Sequence, residues 1–337
     1  MDSVKIVVRA PNWVGDSVLA LPAMNTIKKN FPGCELWVAA RGWVSGLFSM
    51  SDMFAGTILL PDQKRVKHIR AAARLIHQAH FDLGFLFTNS FASALVFALA
   101  KIPQRWGYKK EGRAFLLTKG IPVSSRENRI HQVYYYLDLL SGLGLNEFPD
   151  GPTLSVDQRE MAETEEWLGS QDIPIHRPLI LINPGAYFGS AKRWPAEKYA
   201  ELAGLLQSKR QAQIMIVGSP EETHLAKNIS SRMSGRSYIL TGKTSLARLA
   251  ALLNLCDLFV TNDSGPMHLA NMLKVPLVAL FGPTDPARTG PYRQPAIVLH
   301  KGAPCWPCTY RQCPFDHRCM MDISPEEVFH ACQKLMP

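Results

Sequence analysis

The chain reads as an α/β protein made of two doubly wound, Rossmann-like domains, and three observations carry that reading. Short apolar runs alternate with helical stretches along most of the 337 residues. Such alternation builds a parallel sheet covered on both faces. The pattern breaks at Phe148-Pro149-Asp150-Gly151-Pro152 and then restarts, as it does at a linker. The length also exceeds what one core usually serves.

In the first half, Lys5–Arg9 is a buried strand, followed by the loop Ala10-Pro11-Asn12-Trp13-Val14-Gly15. A helix is expected from about Ser17 to Asn30. Lys28 and Lys29 sit near its end, where cations suit the helix dipole, and Phe31-Pro32-Gly33 stops it. Glu35–Ala40, Thr57–Leu60 and Leu83–Phe87 are further strands; Val66–Ala79 and Ala92–Leu99 are helical. The apolar stretch Phe81 to Ala100 contains Asp82, Thr88, Asn89, Ser90 and Ser93. A strand, a polar turn and a buried helix explain it better than a membrane span.

An acidic helix, Gln158 to Leu168, follows the linker. Strands are then expected at Leu179–Ile182, Gln213–Val217, Ser237–Leu240, Leu258–Thr261 and Pro276–Phe281. Helices are expected from Pro195 and over Glu221–Met233, Leu246–Asn254, Pro266–Leu273 and Pro325–Leu335. Doubly wound domains bind ligands at the carboxyl ends of their strands, and a pair of them does so in the cleft between.

Composition narrows the partners. Apolar residues make up 47% of the chain, enough for two cores, and the net charge of +9 favours an anionic partner. The local clusters Lys64–Lys67 and Lys109–Arg113 read equally well as solvated faces. A nucleic-acid binder is disfavoured, because no recognisable motif interleaves basic residues with an aromatic stacking surface. The apolar part of Met1–Arg9 is too short for a signal peptide, so a cytoplasmic protein is expected.

Several motifs fall where strands end. Asp16 closes the first strand–helix loop. It is either a helix N-cap or a carboxylate able to take a proton, and the two roles are compatible. Asn183-Pro184-Gly185-Ala186 through Lys192-Arg193-Trp194-Pro195 is a glycine-bearing loop before a helix. Its N–H groups and two cations suit a diphosphate, although a plain basic loop is the alternative. Thr261-Asn262-Asp263-Ser264-Gly265-Pro266-Met267-His268 ends a strand and opens a helix whose first N–H groups suit phosphate. Asp263 could bind sugar hydroxyls; His268 is also readable as a structural histidine. Glu221 and Glu222 could reach a ribose or simply charge a first helical turn. The sequence has no Asp-x-Asp pair. Glycosyl transfer through a metal held by that motif is therefore disfavoured, and no cofactor is expected for catalysis. Lysine, arginine and helix starts would steady a leaving diphosphate instead.

Cys305, Cys308, Cys313 and Cys319 lie close in sequence, with His317 nearby, while Cys34, Cys256 and Cys332 are isolated. The four suit a structural zinc site, reduced thiols in a packed loop or, less well, iron–sulfur ligation.

With these pieces placed, the chain resembles the ADP-heptose:lipopolysaccharide heptosyltransferases of Gram-negative bacteria (family 9 glycosyltransferases), the type II enzymes in particular. The resemblance rests on Ala10-Pro11-Asn12-Trp13-Val14-Gly15-Asp16, on Asn183-Pro184-Gly185-Ala186 with Ala191-Lys192-Arg193-Trp194-Pro195, and on Thr261 to Ala270 continuing to Phe281-Gly282-Pro283-Thr284-Asp285-Pro286. The cysteine-rich tail is also similar. The resemblance implies a GT-B architecture: an acceptor domain over 1–155, an ADP-heptose domain over 156–322, and a helix over 323–337 packing back toward the first. It implies inverting transfer without metal, with Asp16 as base and Lys192 steadying the phosphates. Asn183, Gly185, Arg193, Glu221, Thr241, Gly242, Asp263, Ser264, Gly265, Met267 and His268 are the implied donor neighbourhood. The acceptor is a lipid A-linked Kdo and heptose chain. Lys64, Arg65, Lys67, Lys109, Lys110 and Arg113 are candidates for its anionic groups. An enzyme of this kind would sit peripherally on the inner face of the inner membrane, against anionic lipid. A type I or other lipopolysaccharide transferase and a non-catalytic nucleotide-sugar-binding protein are the alternatives.

Overall fold

A computed structural model describes residues 3–61, 66–127 and 129–336. Contacts divide the chain into two compact units, Met1–Leu154 and Ser155–Pro337, one residue from the boundary read in the sequence.

The first unit carries strands β1 (Lys5–Arg9), β2 (Glu35–Arg41), β3 (Gly56–Leu60), β4 (Leu83–Leu86), β5 (Gln104–Tyr108) and β6 (Lys119–Ile121). They form one sheet in the order β3-β2-β1-β4-β5-β6, the doubly wound order. All its pairings are parallel; Val8 lies opposite Val38 on one side and Phe85 on the other. Its helices are α1 (Val14–Leu19), α2 (Leu21–Asn30), α3 (Gly42–Ser45), α4 (Val66–His77), α5 (Phe91–Leu99) and α6 (Gln132–Gly142).

The single helix expected over Ser17–Asn30 is two, divided at Ala20. Pro22 explains the break, since it has no N–H to give the preceding turn. The segment 81–100 resolves into β4 and α5 with a polar turn between. Ser90 caps α5 by accepting from the Ser93 N–H at 3.3 Å. A cap of this kind contributes about 1 kcal/mol. No helix among the described residues is long and apolar enough to cross a membrane. Ala72, Ala73 and Ile76 of α4 join Ala94, Val96 and Phe97 of α5 in a core against Val7, Ala39 and Leu86, so both helices cover one face of the sheet.

The second unit repeats the plan with β7 (Leu179–Asn183), β8 (Gln213–Ile216), β9 (Ser237–Ile239), β10 (Leu258–Asn262), β11 (Leu277–Phe281) and β12 (Ala296–His300). Their order is β12-β11-β10-β7-β8-β9, the same winding seen from the other edge. Its helices are α7 (Gln158–Ser170), α8 (Ala196–Arg210), α9 (Thr223–Arg232), α10 (Leu246–Leu255), α11 (Gly265–Met272), α12 (Pro286–Thr289), α13 (Arg318–Met321) and α14 (Pro325–Leu335). The sequence set α14 apart and turned it toward the first unit. In the structure it is part of the second unit. Val328, Phe329, Ala331 and Cys332 enter a core with Tyr199, Leu202 and Leu206 of α8, so its apolar face is used there.

Candidate active site

In the second unit the centre of the sheet lies between β7 and β10, with Asn183 directly opposite Thr261. This is the switch point, where the two strands' connections run to opposite sides and leave a crevice at the carboxyl ends. The predicted residues collect there. Asn183 donates from Nδ2 to Thr261 Oγ1 (3.1 Å) and Ser264 Oγ (3.0 Å). Asn262 donates to the Pro184 carbonyl (2.7 Å) and accepts from the Trp194 N–H (3.1 Å) and the Tyr199 hydroxyl (3.0 Å). These bonds tie the 183–194 loop to the 261–264 turn. Asn183 and Asn262 thus serve as braces.

Lys192, on the short turn Ser190–Lys192, sets its ammonium 2.6 Å from Asp263 Oδ2. The same oxygen accepts from the Thr284 hydroxyl at 2.6 Å. The lysine side chain is 14% exposed and the aspartate 5%. A nearly buried pair of this kind is held by geometry; removing one partner leaves the other charge stranded. Asp263 therefore aims Lys192, and the ammonium's other donor directions could serve an anion. Arg193 adds a buried Nε with no hydrogen-bond partner. Ser264 caps α11, accepting from the Met267 N–H at 3.4 Å, so the helix start with Gly265 faces the same end of the sheet. Met267 is wholly buried in the core, and His268 is buried on α11.

The Glu221 side chain is exposed, whereas its neighbour Glu222 is buried. Glu222 accepts from the Ser219 N–H at 2.8 Å in a capping box. A Cβ on Gly185 would stand 1.9 Å from the Glu222 carboxylate, and one on Gly218 would stand 2.6 Å away. Both positions are glycine because the carboxylate occupies that space. Thr241, bonded to Thr223 at 3.2 Å, and Gly242, at φ +74° and bonded to the Gly218 carbonyl at 2.9 Å, complete this corner. The arrangement offers cations and a helix start on one side and a carboxylate on the other. That combination suits a diphosphate flanked by hydroxyl-bearing sugars.

The cysteine-rich segment braces this site, a role the sequence reading missed. Arg311 O accepts from the Ala191 N–H (3.0 Å), His317 Nε2 donates to the Ala191 carbonyl (2.8 Å), and Trp306 Nε1 donates to the Thr284 carbonyl (3.2 Å). The four thiols are unbridged, with Cys305 exposed and Cys319 buried. Burial first, then the three neighbouring thiols, pushes Cys319 up to about 11. Among the described residues no three His, Cys, Asp or Glu side chains are gathered to hold a metal ion.

In the first unit, Asp16 is not a cap. The helix starts at Val14 with Trp13 before it, and Asp16 lies half-buried in the first turn. Ser17 donates to the Pro11 carbonyl at 3.0 Å and closes the loop. Burial, then the charge of Asp16, hold the Tyr136 phenol well above its ordinary pKa. Arg9, at the end of β1, is 1% exposed and donates to the Ala10 and Ala39 carbonyls and to Asn12 Oδ1 (2.5 Å). Burial, then repulsion from Arg41, lowers it to about 9.

Arg113 is also corrected. It is fully buried, bonded to the carbonyls of Tyr108 (3.0 Å) and Thr88, and locks the fold instead of facing an acceptor. Lys110 is paired with Glu127 at 2.8 Å. Lys67 and Lys109 are exposed, and Lys64 and Arg65 lie outside the described residues.

Residues 69–318 match the family model described as glycosyltransferase family 9 (heptosyltransferase). The chain belongs to glycosyltransferase family 9. It is thus a glycosyltransferase, and the two doubly wound units are those of the GT-B class. This family 9 chain is 30% identical to lipooligosaccharide heptosyltransferase 2 of Campylobacter jejuni, over 98% of this chain and 99% of that one. It is 34% identical to lipopolysaccharide heptosyltransferase 2 of Salmonella typhimurium, over 88% and 87%. Among solved structures it is similar to the E. coli ADP-heptose lipopolysaccharide heptosyltransferase II, with TM-score 0.86, 30% identity and coverage of 99% and 98%.

Proposed function

We propose that this enzyme transfers heptose from ADP-L-glycero-D-manno-heptose to the first heptose of the lipopolysaccharide inner core, heptosyl-Kdo2-lipid A. The observation that carries the reading is the Lys192–Asp263–Thr284 cluster at the switch point, beside Arg193 and the start of α11. It sets cations and a helix start at one strand end, in a chain similar over its length to type 2 heptosyltransferases.

The reaction is a single displacement. An acceptor hydroxyl oxygen attacks the anomeric carbon, the bond from that carbon to the diphosphate oxygen breaks, and ADP leaves with the electron pair. The configuration inverts. Asp16 takes the hydroxyl proton; help of this kind is worth about 100- to 10,000-fold. Lys192, Arg193 and the α11 start carry the charge growing on the diphosphate, so no metal ion is needed in this step. Glu222 accepts from the ribose hydroxyls in this reading, with Glu221 beside it as the exposed alternative.

Release of ADP from ADP-heptose tests the reading with two acceptors, Kdo2-lipid A and the same lipid already carrying one heptose. Release with the heptosylated acceptor alone is expected. Release with Kdo2-lipid A instead makes the enzyme type I. Tight donor binding without release with either makes it a nucleotide-sugar-binding protein. Because the acceptor is a lipid, the enzyme works peripherally at the cytoplasmic face of the inner membrane. A structural zinc on Cys305, Cys308, Cys313 and Cys319 is a separate proposal, supported by four thiols close in sequence, although their spacing is not that of a standard zinc ribbon or finger. Metal analysis of the purified protein tests it: one zinc per chain is expected, and metal-free protein with four titratable thiols rejects it.

A further inference from the structure

Helices α4 and α5 cover one face of the first unit's sheet, and their outward sides have opposite character. Along α4 the buried positions are Ala72, Ala73 and Ile76, and the opposite stripe is Lys67, Arg70 and Arg74, all exposed. Along α5 the buried positions are Ser93, Ala94, Val96 and Phe97, and the opposite stripe is Phe91, Leu95 and Leu99. Phe91 is 41% exposed and Leu99 is 49% exposed. Phe115, 75% exposed, stacks beside Phe91 with ring centroids 5.9 Å apart and extends the apolar stripe. Helical periodicity makes each stripe continuous along its helix. A soluble helix ordinarily turns apolar residues in and polar residues out; α5 shows apolar residues on both sides and has no charged residue. Neither α4 nor α5 contains an acid, while basic residues recur from Lys67 through Lys101 and Arg105 to Lys109. Glu111 is the nearest acid in sequence after α5.

We propose that the paired outward faces of α4 and α5 dock on an anionic lipid bilayer, with Phe91, Leu99 and Phe115 entering the interface and Arg70 and Arg74 meeting the headgroups. The apolar stripe alone would suit any apolar partner. The acid-free cationic stripe beside it selects a surface of fixed negative charge, and apolar and cationic stripes on adjacent helices together select a bilayer. This deepens the peripheral-membrane reading above and rests on it only for the lipid as partner. Neither donor nor acceptor is needed to test it, so its failure would leave the transferase reading untouched.

The test is co-sedimentation of the full chain with vesicles of phosphatidylcholine alone and of phosphatidylcholine mixed with phosphatidylglycerol. Binding to the mixed vesicles only is expected, weakening as salt shortens the screening length toward about 3 Å. R70E/R74E should lose about tenfold or more of that binding at low salt. F91S/L99S should lose the part that survives high salt. All four side chains are exposed, so melting temperatures should match the wild type. Wild-type chain that ignores anionic vesicles, or variants that bind as the wild type does, would overturn the proposal. So would F91S/L99S turning a dimer into a monomer, which would make the face a contact between two copies.

Discussion

At the carboxyl end of β10, Asn262, Asp263 and Ser264 are already bonded to Trp194, Lys192 and Asn183. At the carboxyl end of β1, Arg9 donates to two backbone carbonyls and the Asn12 amide. The two sheets share a winding order, so the difference lies in what the loops add. In the second unit the crosslinks join four loops into a rigid frame around one lysine, and a ligand there meets donors that need little reorganisation. In the first unit the buried cation anchors the loop that leads into α1, and Asp16 stands on that helix half-buried. Under the proposed function the difference separates two tasks: steadying a leaving group needs preset charge, whereas taking a proton needs a carboxylate within reach of water and substrate.

The comparison breaks most easily at Asp16. Asp16→Asn should lower turnover about 100- to 10,000-fold in an ADP-release assay. Its cost in stability should stay within about 1 kcal/mol, because asparagine keeps the shape of the side chain and the first-turn dipole contact is a small term. Lys192→Met comes next, at about 100- to 1,000-fold in kcat/KM for the donor. It also strands Asp263, so melting should fall as well. Lys192→Met with Asp263→Asn should recover stability without activity, which separates the two losses. Glu222→Gln should raise the donor KM by about tenfold, the value of one charge-assisted hydrogen bond, while Glu221→Gln leaves it unchanged. Arg113→Met should leave kcat alone and destabilise the protein by about 3 kcal/mol, because the Tyr108 and Thr88 carbonyls lose their donor.

The alternation of strands and helices, the restart after Pro149 and the polar residues that meet at the second switch point were legible in the sequence. Each is written in local pattern: apolar runs, a proline-rich break, polar residues at strand ends. The misses have physical causes. β5, β6 and β12 escaped because they are partly exposed and include Gln104, Arg105, Lys119 and His300, which blur an apolar run. The helix break at Ala20 escaped because Pro22 sits inside a continuous helical pattern. Glu221 and Glu222 are adjacent, and the Ser219-x-x-Glu222 spacing of a capping box, present in the sequence but passed over, tells which turns inward. Arg113 read as a surface cation because charge is visible in sequence and burial is not. The bracing of Ala191 by Arg311 and His317 spans more than a hundred residues, beyond any local signal.

The most direct test of the division of labour is calorimetric titration of ADP-heptose into the wild type, Asp16→Asn and Lys192→Met. The account predicts wild-type affinity for Asp16→Asn, whose turnover is lost, and a large loss of affinity for Lys192→Met. Equal weakening of donor binding in both variants, or wild-type affinity in Lys192→Met, would contradict it.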